Sequence, residues 1–244
     1  MANKLDAMRA GGKILGRILN ELRDYVQAGM NEMDINKWVE GKILEYGAEV
    51  AYYEDVPKFP GAICISVNDE LIHGVPEDNV LEDGDKVSFD LSIKCQGYYV
   101  DSAFTMVVGK ASPALKHLLS VTEKALYAGI KQVRAGATLG DIGAVVEGTL
   151  LEGKLGVIRN YVGHGIGEQI HMPPDIPNFG KKGEGNELKA GETICIEPMS
   201  SLGKADTEVG ADGWTVFLKD GSIGAHFEHT ILVTEGGCEI LTKA

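Results

Sequence analysis

Two aspartates, Asp90 and Asp101, flank the dipeptide Gln96-Gly97, and this spacing is enough to bring two carboxylates together. Lys86 to Cys95 and Tyr98 to Val108 read as strands joined by a two-residue hairpin turn. In that register Cys95 faces Tyr98, Asp90 faces Ala103 and Asp101 faces Ser92. The two acids then share one face as diagonal neighbours, roughly 7–8 Å apart at the backbone, and a slip of one residue would separate them. Carboxylates on an apolar-flanked face repel and lose hydration, so they need a cation or a shared proton. Taken alone, the hairpin is also compatible with both side chains pointing to water.

Further donors lie where glycine or a strand end would let a ligand approach: His164 in Gly163-His164-Gly165-Ile166-Gly167, Glu197 in Ile196-Glu197-Pro198, and the run His226-Phe227-Glu228-His229. Carboxylate and imidazole together suit first-row divalent metals, whereas an all-oxygen set would point to calcium or magnesium. The glycine run is not a phosphate cradle, because no Lys-Ser/Thr follows it and its spacing matches neither phosphate-binding fingerprint. Charge agrees: 36 Asp and Glu against 23 Lys and Arg give a formal charge of −13, which argues against a nucleic-acid partner and leaves carboxylates free to hold cations.

The elements that must position these groups are readable from periodicity. Leu15, Ile18, Leu19, Leu22 and Val26 form the apolar stripe of a helix from about Lys4 to Ala28, stopped by Gly29. A second helix starts near Asp34, with Ile35, Trp38, Val39, Ile43 and Tyr46 on one face, and ends at Gly47. Ala62 to Val67 reads as a strand, Pro113 to Ala135 and Leu139 to Glu152 as helices, and the last hundred residues as mainly strand and loop.

An internal repeat organises them. A shift of 107 residues aligns Val26-Gln-Ala-Gly with Val133-Arg-Ala-Gly and Asp34-Ile35 with Asp141-Ile142, and from Val26 to Glu45 it matches 10 of 20 positions. The same shift carries Leu81–Asp90 onto Leu188–Glu197, so Asp90 and Glu197 are repeat mates at equivalent strand ends. The expectation is one pseudo-twofold α+β domain spanning 1–244, with halves of roughly 1–110 and 111–244 and a site between them. No Pro/Ser-rich linker separates the copies as it would two independent domains. Four scattered cysteines, Cys64, Cys95, Cys195 and Cys238, form no CxxC, and neither a signal peptide nor a membrane span is readable. A cytoplasmic protein with reduced thiols is the expectation.

Several motifs, in this order, resemble the type I methionine aminopeptidases. They are Ile72-His73-Gly74-Val75-Pro76, Phe89-Asp90, Asp101-Ser102-Ala103-Phe104-Thr105, the glycine run around His164 with His171, and Ile196-Glu197-Pro198-Met199. Asp212-Gly213-Trp214-Thr215-Val216 and Phe227-Glu228-His229-Thr230 complete the set. The resemblance implies a pita-bread fold, a pseudo-twofold antiparallel sheet covered by helices, and removal of N-terminal methionine by two divalent ions (Co, Mn, Fe or Zn). Asp90 and Asp101 would bind one ion, His164 and Glu197 the other, with Asp101 and Glu228 bridging. Glu197 would also move a proton, His73 and His171 would contact substrate without binding metal, and Phe59, Cys64 and Trp214 would line the methionine pocket. Nascent polypeptides at the ribosome are the implied partners, of a monomer that binds neither nucleic acid nor membrane.

Four positions depart from that family pattern: Val56 and Ile170 where an aromatic is usual, Met172 in place of glutamate, and His226 in place of glutamine. The chemistry looks intact, while methionine selectivity is expected to be looser. The alternatives are a proline-directed or broader aminopeptidase on the same fold, or a non-catalytic binding module. The second conflicts with the complete set of ligands.

Overall fold

The computed structural model describes residues 3–55 and 59–243. The first half contains α1 (Lys4–Tyr25), α2 (Glu32–Glu45), β1 (Glu49–Val50), the short α3 (Tyr52–Asp55), β2 (Cys64–Val67), β3 (Glu70–Ile72), β4 (Lys86–Cys95) and β5 (Tyr98–Val107). The second half contains α4 (Pro113–Ile130), α5 (Leu139–Glu152), β6 (Gly156–Val157), β7 (Gly163–Gly165), β8 (Met172–Ile176), β9 (Thr193–Ile196) and β10 (Met199–Ser201). It closes with β11 (Thr207–Val209), β12 (Val216–Leu218), β13 (Gly224–His226), β14 (His229–Val233) and β15 (Cys238–Ile240).

The helices start where side chains can satisfy their first free N–H groups. Asn31 accepts from Met33 N at 2.9 Å, and its repeat mate Thr138 forms a reciprocal capping box with Asp141. Both N-caps also make isolated β-bridges, Asn31 to Val80 and Thr138 to Glu187, again offset by 107. α1 and α4 end earlier than the apolar periodicity suggests. Val26 already has extended φ/ψ, and after Ile130 the chain turns through Gly136 at φ +80° so that Ala135 N can donate to Thr234 O. Tertiary hydrogen bonds outcompete the local helical preference there.

Every strand pairing is antiparallel. β2, β4, β5 and β1 form one sheet, and β7, β8, β9, β14 and β15 form its counterpart. Two smaller sheets, β13–β10–β6 and β11–β12–β3, flank them. One apolar cluster includes Met8, Leu15 and Ile18 of α1, Phe89 and Leu91 of β4, Leu126 of α4, Val146 of α5 and Ile194 of β9, so the helices cover both large sheets.

The two large sheets meet between β5 and the segment leading into β14. Glu228 N donates to Ala103 O at 2.9 Å, and Ala103 N returns a 3.4 Å bond to Glu228 O. One step along, the Thr230 hydroxyl accepts from Asp101 N at 2.9 Å and donates to Asp101 O at 2.8 Å. A single side chain thus satisfies both main-chain groups of Asp101. Thr230→Val keeps the shape and strands both groups, so it should lower the unfolding free energy by about 2–3 kcal/mol. Urea denaturation of the metal-free protein measures this, and a change under about 0.5 kcal/mol would contradict the role assigned to the seam.

Candidate active site

The hairpin adopts the register expected from its turn. Gln96 and Gly97 both take positive φ (52° and 88°), and Asp90 pairs with Ala103 while Asp101 pairs with Ser92. Asp90 and Asp101 therefore emerge on the same face, 9% and 5% exposed. The seam adds Glu228, which is buried and immediately precedes β14. Ligand atoms of Asp90, Asp101 and Glu228 lie within 4.8 Å of one another.

The second half supplies the remaining donors. His164 sits at the centre of β7, with its Nε2 3.6 Å from Glu197 Oε1 and 3.9 Å from Glu228 Oε1. Glu197 directly follows β9. The glycines beside His164 allow close approach: a Cβ at 163 would lie 2.2 Å from Cys195 O, and one at 165 would lie 2.3 Å from Pro173 O. His226 ends β13, is buried, and places Nε2 3.4 Å from Glu197 Oε2.

The electrostatics of this cluster are severe. Burial first, then the charges of Asp101 and Glu197, hold Asp90 well above the usual carboxylate range. Burial, followed by the charges of Asp101, Glu197 and Asp90, does the same to Glu228. Glu197 rises to about 7 through burial, against the opposing pull of His164, and Asp101 rises to about 6 for the same first reason. Four carboxylates this close in a low-dielectric setting cannot all ionise unless cations compensate them. Asp90 Oδ1, Asp101 Oδ1 and Glu228 Oε1 also find no hydrogen-bond partner among the described residues. Buried oxygens are normally satisfied, so unpartnered oxygens beside an imidazole fit divalent metal ions.

Cys195, which no sequence motif singled out, has its Sγ within 4.8 Å of ligand atoms of His164 and Glu228. Burial and the charges of Glu228 and Asp101 keep it a thiol, which is a poor ligand compared with the acids beside it.

Two cavities open on either side of the cluster. The smaller one, about 90 Å³, is lined by Tyr52, Phe59, Cys64, His73, Asp90, Asp101, Ile170, His171 and Trp214. The second, about 200 Å³, is reached past Tyr161 and Asp175 and includes His73, His164, His171 and Glu197. His73 and His171 line both, so they stand where one cavity passes into the other.

Their placement is specific. His73 is held at φ +58°, and the next residue must be glycine, since a Cβ at 74 would fall 2.1 Å from Ile65 O. Gly74 N donates to Ser66 Oγ at 3.0 Å, and Ile65 N to Gly74 O at 2.9 Å, locking the turn onto β2. Burial, then the neighbouring His226, lowers His73 to about 4. His171 is exposed on its outer side and packs its inner side edge-on against His164, with ring centroids 4.5 Å apart. That inner crowding, with His73 second, lowers it too. Both imidazoles are thus neutral near pH 7, able to donate one hydrogen bond without carrying charge.

Phe59 and Cys64 meet Trp214, remote in sequence, in the smaller cavity with Ile170. Phe59 and Trp214 pack edge-to-face at 5.6 Å. Asp212 Oδ1 fixes the Trp214 loop by accepting from Trp214 N and Thr215 N at 2.9 and 3.0 Å. Val56 lies outside the described residues. Tyr52 also lines this cavity, and sequence reasoning missed it because it belongs to no motif and reaches the cavity only through the packing of α3.

Comparison with known proteins shows the family. Residues 6–235 match the metallopeptidase family M24. A methionine aminopeptidase of Mycoplasma capricolum subsp. capricolum is 43% identical over 241 residues, covering 98% of this chain and 96% of that protein. Methionine aminopeptidase 1 of Bacillus subtilis is 40% identical over 240 residues, with the same coverage of both. The crystal structure of a methionine aminopeptidase from Thermotoga maritima superposes with a TM-score of 0.96 at 39% identity, covering 100% of this chain and 98% of that one. The expected pita-bread fold is the one observed. With its acid and histidine cluster at the seam of that fold, the chain belongs to metallopeptidase family M24.

Proposed function

We propose that this protein removes the N-terminal methionine from peptides and nascent polypeptides by hydrolysing the first peptide bond. The observation that carries this reading is the small apolar cavity lying directly against the acid cluster.

In this reading Asp90 and Asp101 hold one divalent ion, His164 and Glu197 a second, and Asp101 and Glu228 are shared. Four carboxylates offset the charge of two such ions, and Co, Mn, Fe and Zn all accept this mixed donor set. When bound, the ions supply Lewis acidity and water activated at neutral pH.

The protein's own groups divide the remaining work. The substrate's free α-amine meets Asp90 and Asp101, which line the smaller cavity, and an internal residue has no such amine to offer. His73 and His171, lining both cavities, flank the scissile amide, and a neutral imidazole donates to its carbonyl oxygen as negative charge develops there. Glu197 lines the outer cavity, on the side of the departing residue, and so carries a proton to the leaving amine. Phe59, Cys64 and Trp214 enclose the methionine side chain, whose burial contributes roughly 1.5–3 kcal/mol.

The whole chain acts as one catalytic domain and as a monomer in the cytoplasm, on N-termini emerging from the ribosome. Four free cysteines suit that compartment, and the net charge of −13 argues against direct nucleic-acid binding.

A panel of Met-Ala-Ser, Met-Leu-Ser, Leu-Ala-Ser and Ala-Pro peptides, assayed with several metals, tests the function. Met-Ala-Ser should be the best substrate, and cleavage of Ala-Pro without Met-Ala-Ser would establish the proline-directed alternative instead. Asp101→Asn and Glu228→Gln should each reduce kcat/KM on the order of 10³-fold or more and lower the bound metal measured by elemental analysis. Near-normal turnover in either would remove the shared-carboxylate assignment. His73→Ala and His171→Ala should keep the full metal content while losing about 10²–10³-fold in kcat, and loss of a metal equivalent in either would make that histidine a ligand.

A further inference from the structure

Tyr52 forms a wall of the smaller, apolar cavity and is 7% exposed. Its ring packs edge-to-face on Phe59 at 5.2 Å, and Phe59 packs on Trp214 at 5.6 Å. Three aromatics in series therefore enclose the apolar end of the cavity. The Tyr52 hydroxyl donates to Asp90 O across 3.5 Å, the outer limit of a hydrogen bond, and it faces the Cys64 thiol. Its hydrogen is thus loosely held by a main-chain carbonyl and a sulfur, beside a space sized for one side chain.

A hydrocarbon wall cannot tell a sulfur from a methylene of similar size, because the two differ little in volume or apolar area. A hydroxyl can, since a thioether sulfur accepts a weak hydrogen bond and a methylene accepts none. We propose that Tyr52 is a specificity-determining residue whose hydroxyl turns from Asp90 O to the thioether sulfur of a bound methionine side chain. This rests on reading the smaller, apolar cavity as the methionine pocket. A hydrocarbon side chain leaves the hydroxyl on Asp90 O, so the discrimination is modest and comes from the sulfur contact alone.

The test is Tyr52→Phe, which keeps the ring and its packing on Phe59; a melting curve checks that the fold is retained. The readout is the ratio of kcat/KM for Met-Ala-Ser to that for norleucine-Ala-Ser, with both peptides assayed in the same metal. The variant should lower that ratio by about three- to tenfold. Calorimetric titration with free methionine and free norleucine should show the same loss of preference without turnover. An unchanged ratio overturns the proposal. So does a parallel loss on both peptides, which would mean that the hydroxyl only braces the cavity wall. If the unaltered enzyme fails to cleave Met-Ala-Ser, the reading of the pocket falls first, and that failure is seen before any variant is compared.

Discussion

The mutual repulsion of Asp90, Asp101, Glu197 and Glu228, buried together where the two halves of the chain meet, is the constraint on which the rest of the structure depends. Burial raises the proton affinity of each, and the charges of Asp101 and Glu197 raise that of Asp90 and Glu228 further. His226 does not relieve them. Its own burial, with the Lys86 ammonium second, holds it down at about 3, so it is a neutral ring against Glu197. A fold that keeps such a cluster in place needs a rigid frame, and the hydrogen bonds between β5 and the start of β14 supply it through main-chain groups and the Thr230 hydroxyl. The proposed metal ions then meet a site already assembled, which limits the reorganisation that binding requires.

The pseudo-twofold repeat explains why the cluster has this composition. β4 and β9 are equivalent strands, starting at Lys86 and Thr193, and Asp90 and Glu197 are equivalent positions on or just beyond them. Each half thus contributes an acid from the same place in its unit. The symmetry is broken where function needs it. His73 comes from the first half on a left-handed turn clamped by Gly74 against β2, and His171 comes from the second half on the approach to β8. Together they stand between a small apolar cavity and a larger, more polar one, which gives the site a direction that a symmetric cluster alone would lack.

Much of this was legible from sequence because it depends on local or periodic signals. The two-residue turn at Gln96-Gly97 set the hairpin register and hence the common face of Asp90 and Asp101. The offset of 107 paired Asp90 with Glu197, and the apolar stripes located α1, α2 and α5. Helix ends were less legible. The apolar pattern continues past Tyr25 and Ile130, and the hydrogen bonds that end those helices are donated by Gly29 N to Leu81 O and by Ala135 N to Thr234 O, partners remote in the chain.

What the sequence by itself determined is the register of the hairpin that presents Asp90 and Asp101 and the repeat that relates the halves, since each follows from spacing along the chain; the rest of the proposed site came from motif resemblance. Only the tertiary structure decided that Glu228 reaches Asp90 and Asp101 across the seam, that His226 faces Glu197, and that Tyr52 joins Phe59, Cys64 and Trp214 around one cavity. Those contacts join segments tens to more than a hundred residues apart, and they exist because packing the two halves closes distances that no local propensity encodes.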